Sequence, residues 1–229
     1  MFKRLHHQTI HKLLGLFNAE VLTRTECYFA GGTAIALLLN EYRESVDIDF
    51  LCASKEGYRV LRNSVTQQSL GNILKTPVKH LREVRADRDG IRTFLEIDSI
   101  PIKVEIVFEA RISIQGTLND FLTVPVLTIQ DMFAEKLLAN CDRGADISTA
   151  SRDIIDLAML IIHQGDIPLS AWIKVIDAYG KSVISAFQAS LLRLSNSTYL
   201  NRCFEKMNMD NSLEKSILDA LRKQVVPAL

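Results

Sequence analysis

Asp47 and Asp49 stand one residue apart in "VDIDFLCA" (46–53), a stretch whose other residues are apolar. The alternation predicts a strand, and in a strand residues i and i+2 share a face. Val46, Ile48 and Phe50 then take one side and the two aspartates the other. Two carboxylates this close repel when both are ionised, unless a proton or a cation lies between them. A divalent cation resolves the clash. Oxygen donors with no histidine or thiolate beside them suit Mg²⁺ or Mn²⁺ better than zinc. The bland alternative is a solvated strand face.

A third acid lies in "IPIKVEIVFE" (100–109). Ile102, Val104, Ile106 and Phe108 form one face, and Lys103, Glu105, Val107 and Glu109 form the other. Glu105 has apolar neighbours on both sides, as the aspartates do; Glu109 is its rival. If this strand runs beside the D-x-D strand, three carboxylates converge. Three acids can hold two metal ions, which clamp a phosphoryl group during in-line displacement. Ahead of the aspartates, Gly31-Gly32-Thr33 lies between a predicted strand, "CYFA" (27–30), and a predicted helix, "TAIALLLN" (33–40), with Thr33 available as its cap. Glycines allow close backbone approach, and a helix N-terminus offers unpaired N–H groups to an anion.

Two more charged positions sit among apolar residues. In "TIQDMFAEKLLANC" (128–141), Ile129, Met132, Phe133 and Leu137 form a stripe at helical spacing, and Lys136 falls within it. That lysine must snorkel or meet an anion. The helix predicted over 148–165 is apolar nearly all round except for Arg152, Asp153 and Asp156. Buried acids need partners. In one reading an ion pair from Asp153 or Asp156 to Lys136 fastens the helical part to itself; in a second, compatible one, one of these acids orients Lys136 or touches a substrate.

The elements that position these residues follow from periodicity. Leu5, His6, Ile10, Leu13, Leu14, Phe17 and Val21 predict an opening helix over 3–22, and "YRVLRNSVTQQSLGNIL" (58–74) predicts another. "VKHLREVRA", "RTFLEI" and "IPIKVEIVFE" read as strands, with Asp87-Arg88-Asp89-Gly90 and Asp98-Ser99 as the turns. "ARISIQG" suggests one more short strand. After Pro125 the pattern is helical throughout, including 169–180. The fold class is α+β: a small mixed sheet flanked by helices over 1–125, then an all-helical part over 126–229.

The chain has 229 residues, 27 basic and 27 acidic side chains, and 48% hydrophobic residues, an ordinary globular composition. Zero net charge argues against a protein that coats nucleic acid non-specifically. A local excess exists nonetheless: Lys75, Lys79, Arg82, Arg85, Arg88 and Arg92 against Glu83, Asp87 and Asp89. No apolar run reaches the roughly 20 residues of a membrane span. The basic N-terminus is followed by no apolar region or cleavage site, so no signal peptide is expected. Cys27, Cys52, Cys141 and Cys203 have neither C-x-x-C nor zinc spacing and read as reduced thiols, which suggests a cytoplasmic home.

"GGTAIALLLNEYRESVDIDF" resembles the nucleotidyltransferase signature of the DNA polymerase β-like superfamily. More narrowly, the Gly-Gly-Thr turn, Arg43-x-Ser45-x-Asp47-x-Asp49, the "PVLTIQDMFAEKL" helix and Arg152-Asp153-x-x-Asp156-Leu157 resemble the AbiEii/AbiGii toxin-like nucleotidyltransferases over roughly residues 28–160. The resemblance implies that Asp47 and Asp49 bind Mg²⁺ (or Mn²⁺) and that Glu105 completes an acidic triad. Gly31, Gly32 and Thr33 would contact the phosphates of a nucleoside triphosphate, with Arg43 and Ser45 nearby and Lys136 on the triphosphate. Asp153 or Asp156 would be a further essential acid. The implied reaction moves a nucleoside monophosphate to an acceptor, RNA such as transfer RNA foremost, in a toxin of a two-gene system with a cognate antitoxin. A small molecule or protein side chain as acceptor, and a non-catalytic nucleotide-binding module, are the alternatives.

Overall fold

In the computed structural model, which describes residues 2–227, the chain forms two compact units. One comprises the chain through Leu37 together with Ser45–Thr128; the other comprises Leu38–Glu44 and the chain from Ile129 onward. Residues 38–44 cluster with the helical unit, and the first unit runs on to Thr128.

The first unit is built on a mixed sheet. Its strands are β1 (Cys27–Ala30), β2 (Ile48–Cys52), β3 (Lys79–His80), β4 (Arg85–Ala86), β5 (Ile91–Ile97), β6 (Ile100–Phe108), β7 (Gly116–Asn119) and β8 (Val124–Leu127). They lie in the order β3-β5-β6-β2-β1-β8-β7, with β4 also paired to β5. β2 runs parallel to β6 and β1 parallel to β8; the other pairs are antiparallel. Asp98 and Ser99 both adopt left-handed backbone, φ 52° and 65°, and close β5 onto β6 as a two-residue hairpin.

Alternation decides the faces. Ile48, Phe50, Ile102, Val104 and Ile106 are fully or almost fully buried, while Asp49, Leu51, Lys103 and Glu105 between them are half-exposed. The buried face meets α1 (Leu5–Leu14), α2 (Ala19–Arg24) and α4 (Lys55–Ser64), with α3 (Gly31–Leu38) lying between α2 and α4 in sequence. Phe17, just past α1, packs on Phe50 at 4.9 Å between ring centroids. Each fully buried Leu, Ile or Phe contributes roughly 1.5–3 kcal/mol, so this layer anchors the strand that carries Asp49.

Several expectations are corrected. The opening helix is two helices, because Asn18 leaves helical backbone and its side chain caps α2 at Val21 N–H. His7 rather than His6 lies in the buried stripe of α1, and Leu5 is 67% exposed. The helix expected over 58–74 starts at Lys55, capped by Ser54, and stops at Ser64, where extended Val65 follows. The D-x-D strand begins at Ile48, so Asp47 precedes it and Val46 is exposed. "ARISIQG" contributes only Gly116 to a strand, and Pro125 lies within β8 rather than before a helix.

The second unit is helical: α5 (Ile129–Arg143), α6 (Arg152–Gln164), α7 (Leu169–Tyr179), α8 (Ser182–Leu194), α9 (Ser197–Lys206) and α10 (Glu214–Arg222). α5 packs against α6, α7 and α8, and α6 also packs against α10. Cys27, Cys52, Cys141 and Cys203 are free thiols, and Cys27 faces Cys52 across β1–β2. Among the described residues no helix is long and apolar enough to cross a membrane.

Candidate active site

The acids of the first unit are placed by strand register. Asp49 on β2 is the direct partner of Glu105 on the parallel strand β6. Directly opposed residues share a face, so the two carboxylates project from the same side of the sheet. Glu105 is in turn opposite Arg92 on β5, and Arg92 is opposite Arg85 on β4. One row therefore crosses four strands in the order Arg85, Arg92, Glu105, Asp49.

Glu105 is fully engaged. Arg92 Nε donates to its Oε1 at 3.0 Å and Lys103 Nζ to its Oε2 at 2.5 Å. Asp47 has no side-chain partner among the described residues and is half-exposed. Glu109, the rival third acid, is buried, and the guanidinium and backbone N–H of Arg111 hold its carboxylate. The donor chemistry at Asp47, Asp49 and Glu105 fits a hard divalent cation. The side chains do not form a closed cage: among the described residues no three Asp, Glu, His or Cys groups are gathered around one point. Arg92 and Lys103 compete with a metal for the Glu105 carboxylate.

Gly31 ties the glycine turn to the acids. Its φ is +74°, where L side chains are strained, and a Cβ there would lie 2.7 Å from Asp49 Oδ2. β1 ends at Ala30, the partner of Asp49, and α3 begins at the next residue. The half-exposed backbone of Gly31 and Gly32 thus opens an eight-residue helix beside a carboxylate. Thr33 does not cap this helix as expected. It is buried within the first turn, and its hydroxyl donates to Ser45 Oγ at 2.7 Å.

Ser45 has a second constraint that the sequence reading missed. Its backbone N–H donates to His7 Nε2 at 3.1 Å. A backbone amide only donates, so Nε2 must be the unprotonated nitrogen of a neutral imidazole. His7 is fully buried. It and Thr33 fix the point at which the chain re-enters the first unit, two residues before Asp47.

The remaining expected residues form a buried network in the second unit. Arg43 grips Asp156 through Nε to Oδ1 at 2.7 Å and Nη2 to Oδ2 at 3.0 Å, and Tyr42 OH donates to the same carboxylate. Lys136 Nζ lies 2.9 Å from Asp153 Oδ1 and 2.6 Å from Asp156 Oδ2. Arg143 forks onto Asp153 at 2.6 and 2.9 Å. Lys136, Arg43, Asp153 and Asp156 are all at least 96% buried (4%, 4%, 3% and 0% exposed). Burial by itself would raise the pKa of both aspartates. Lys136 and Arg143 at Asp153, and Arg43 and Lys136 at Asp156, outweigh it and hold both below the usual carboxylate range. Burial, and then the charge of Asp156, push Tyr42 well up, so it stays a donor. The ion pair between Lys136 and the α6 acids is present with both aspartates.

Solved structures with a similar fold include an antigenic nucleotidyltransferase-like protein from Paracoccidioides brasiliensis, with TM-score 0.51 and 12% identity over 100% of this chain and 97% of that one. JHP933 from Helicobacter pylori aligns with TM-score 0.49 and 18% identity over 97% of this chain and 91% of that chain. A protein from H. pylori described as a "putative nucleotidyltransferase" aligns with TM-score 0.47 and 16% identity, over 95% of this chain and 91% of that chain. No curated protein matches the chain. Residues 14–224 match the family described as "Nucleotidyl transferase AbiEii toxin, Type IV TA system". With nearly the whole sequence inside that match, and a mixed sheet that carries registered acids beside a Gly-Gly turn, the chain belongs to the AbiEii nucleotidyltransferase toxin family.

Proposed function

We propose that the protein transfers a nucleoside monophosphate from a nucleoside triphosphate to a hydroxyl of RNA, transfer RNA foremost, and that a cognate antitoxin restrains it. The observation that carries this reading is the pairing of Asp49 with Glu105 beside Gly31, in a chain of this family. Asp47, Asp49 and Glu105 would hold Mg²⁺ or Mn²⁺, which when bound would neutralise charge on the reacting phosphates.

The chain's own residues account for the other steps. The amides of Gly31 and Gly32 offer donors to the phosphates of the triphosphate. The Thr33–Ser45–His7 links hold the approach to Asp47 rigid. Glu105, once released by Arg92 and Lys103, takes the proton of the attacking hydroxyl. The acceptor oxygen then bonds to the α-phosphorus, the bond from that phosphorus to the β-bridging oxygen breaks, and pyrophosphate leaves. Lys136, Arg43, Asp153 and Asp156 brace the helical unit through their buried pairs, and their effect on nucleotide handling runs through that bracing.

The test is transfer of α-labelled nucleotide to RNA by purified protein with Mg²⁺. Wild type labels the RNA and Asp47→Ala does not; equal labelling by the variant overturns the proposal. Label in a protein or metabolite fraction, with RNA untouched, would keep the chemistry and replace the acceptor.

A further inference from the structure

The row that ends at Asp49 begins in a cavity to which no role has been given. A cavity of about 430 Å³ is lined by Arg82, Arg85, Arg92, Thr93, Phe94 and Lys103, with Glu83 the one acid. That volume is within the usual range for small-molecule sites. Arg92 and Lys103 are the two cations that hold Glu105. The cavity wall and the candidate catalytic acid therefore share two side chains.

Three features of this cavity suit a ligand that carries both a phosphate and a ring. First, Arg85 and Arg92 are direct cross-strand partners, and like charges in that relation destabilise a sheet. Arg92 is relieved by Glu105 and, at 3.6 Å, by Asp87; among the described residues Arg85 has no carboxylate partner. Second, Phe94 is half-exposed on a strand whose other large apolar residues are buried, and the Arg82 guanidinium lies 4.6 Å from its ring centroid. Arg82 also lacks a carboxylate partner among the described residues. Third, Phe94 is the direct partner of Lys103, so a ring and two cations, Lys103 and Arg92, share one face.

Unpaired guanidiniums answer to phosphate. A ring with an arginine plane over it answers to a nucleobase. We infer that this cavity binds a nucleotide unit, phosphate on Arg85 and Arg92 and base against Phe94 and Arg82, as the acceptor subsite of the reaction. The assignment rests on the proposed nucleotidyl transfer. A unit seated there lies two strands from Asp49, roughly 10 Å across the sheet, so its neighbour toward β2 reaches the acids. Its phosphate also draws Arg92 and Lys103 away from Glu105.

The same chemistry could come from a free nucleotide or from the end of an RNA strand. Fluorescence anisotropy, with chelator and without triphosphate, separates them by comparing a labelled single-stranded RNA 8-mer with a labelled nucleoside monophosphate. Tighter binding of the 8-mer marks a strand end; equal binding marks a free nucleotide; both support the cavity. Arg85→Gln should weaken binding about tenfold and lower the salt slope by about one. Phe94→Leu should weaken it about fivefold. Arg82→Gln, at an exposed site, serves as a second variant against misfolding, checked by melting temperature. Wild-type affinity and salt slope in both folded arginine variants overturn the assignment. So does a ring-free polyanion, heparin, that binds as tightly as RNA and ignores Phe94→Leu. If no label is transferred to any acceptor while Arg85→Gln still weakens RNA binding, the proposed reaction falls and the cavity assignment stands. Transfer to RNA with cavity variants that bind normally gives the reverse.

Discussion

Arg92 lies directly across the β5–β6 ladder from Glu105, with Nε 3.0 Å from Oε1, and Lys103 takes the other carboxylate oxygen. Two cations on its oxygens satisfy part of the charge and acceptor capacity that Glu105 would offer a metal. The two cations thus compete with a divalent ion for Glu105. Arg92 is 38% exposed at its side chain and Lys103 35%. Half-exposed pairs of this kind are worth roughly 0.2–1 kcal/mol each. Replacing both, Arg92→Gln with Lys103→Gln, should tighten Mn²⁺ binding by about two- to tenfold. Titration calorimetry checks this; unchanged or weaker Mn²⁺ affinity would show that Glu105 is not a metal ligand.

Gly31→Ala should damage the site and the fold together. Left-handed backbone costs a side-chain-bearing residue roughly 1–2 kcal/mol. The added methyl would also sit 2.7 Å from Asp49 Oδ2, so that carboxylate must move. The expected result is a lower denaturation midpoint and loss of label transfer. Gly32→Ala is the control, because no positive φ is found there. Full transfer by Gly31→Ala would mean that the position of Asp49 is not critical.

How much of this could be read from sequence differs residue by residue. The Arg92–Glu105 pair was within reach. The Asp98-Ser99 turn is visible, and a two-residue turn pairs Ile97 with Ile100; counting back five places on each strand reaches Arg92 and Glu105. The Asp49–Glu105 pair was not, because β2 and β6 are parallel and far apart in sequence, and no local turn sets their register. The buried setting of Lys136, Asp153 and Asp156 was legible because charges inside apolar helical stripes need partners. Arg43, the bidentate partner of Asp156, read instead as part of the nucleotide motif. Its true neighbour depends on residues 38–44 clustering with the helical unit, which periodicity does not encode. His7 was missed for a similar reason: His6 and His7 are adjacent, and only the tertiary fold chooses which one enters the core.

The two α6 aspartates should not be equivalent to Lys136 in stability. Asp156→Ala strips Arg43 of its bidentate partner and leaves Tyr42 OH and Lys136 short of an acceptor, all in a buried setting. Removing one member of a buried pair costs about 3–5 kcal/mol. Lys136→Met leaves Asp153 with Arg143 and Asp156 with Arg43, and it keeps the apolar bulk. Its cost should be smaller by at least about 1 kcal/mol. Chemical denaturation of both variants checks the order. If Lys136→Met loses nucleotide binding with no loss of stability, the lysine has a direct role on the triphosphate.

The same network sets the acid limit of the protein. Asp153 and Asp156 are held below the usual carboxylate range in the folded state, against burial that would raise them. A depressed folded pKa means the unfolded chain binds protons first as pH falls. The stability these pairs supply is therefore complete above the unfolded value, about 3.9. It is lost progressively as pH falls below that value toward the depressed folded ones. Denaturation midpoints should stay level from about pH 7 to 5 as far as these groups decide, then fall steeply below about pH 4. Asp153→Asn removes one of the two titrating groups, so its curve should start lower at neutral pH and fall less steeply in acid. A variant curve parallel to wild type across the whole range would show that Asp153 titrates alike in the folded and unfolded chain.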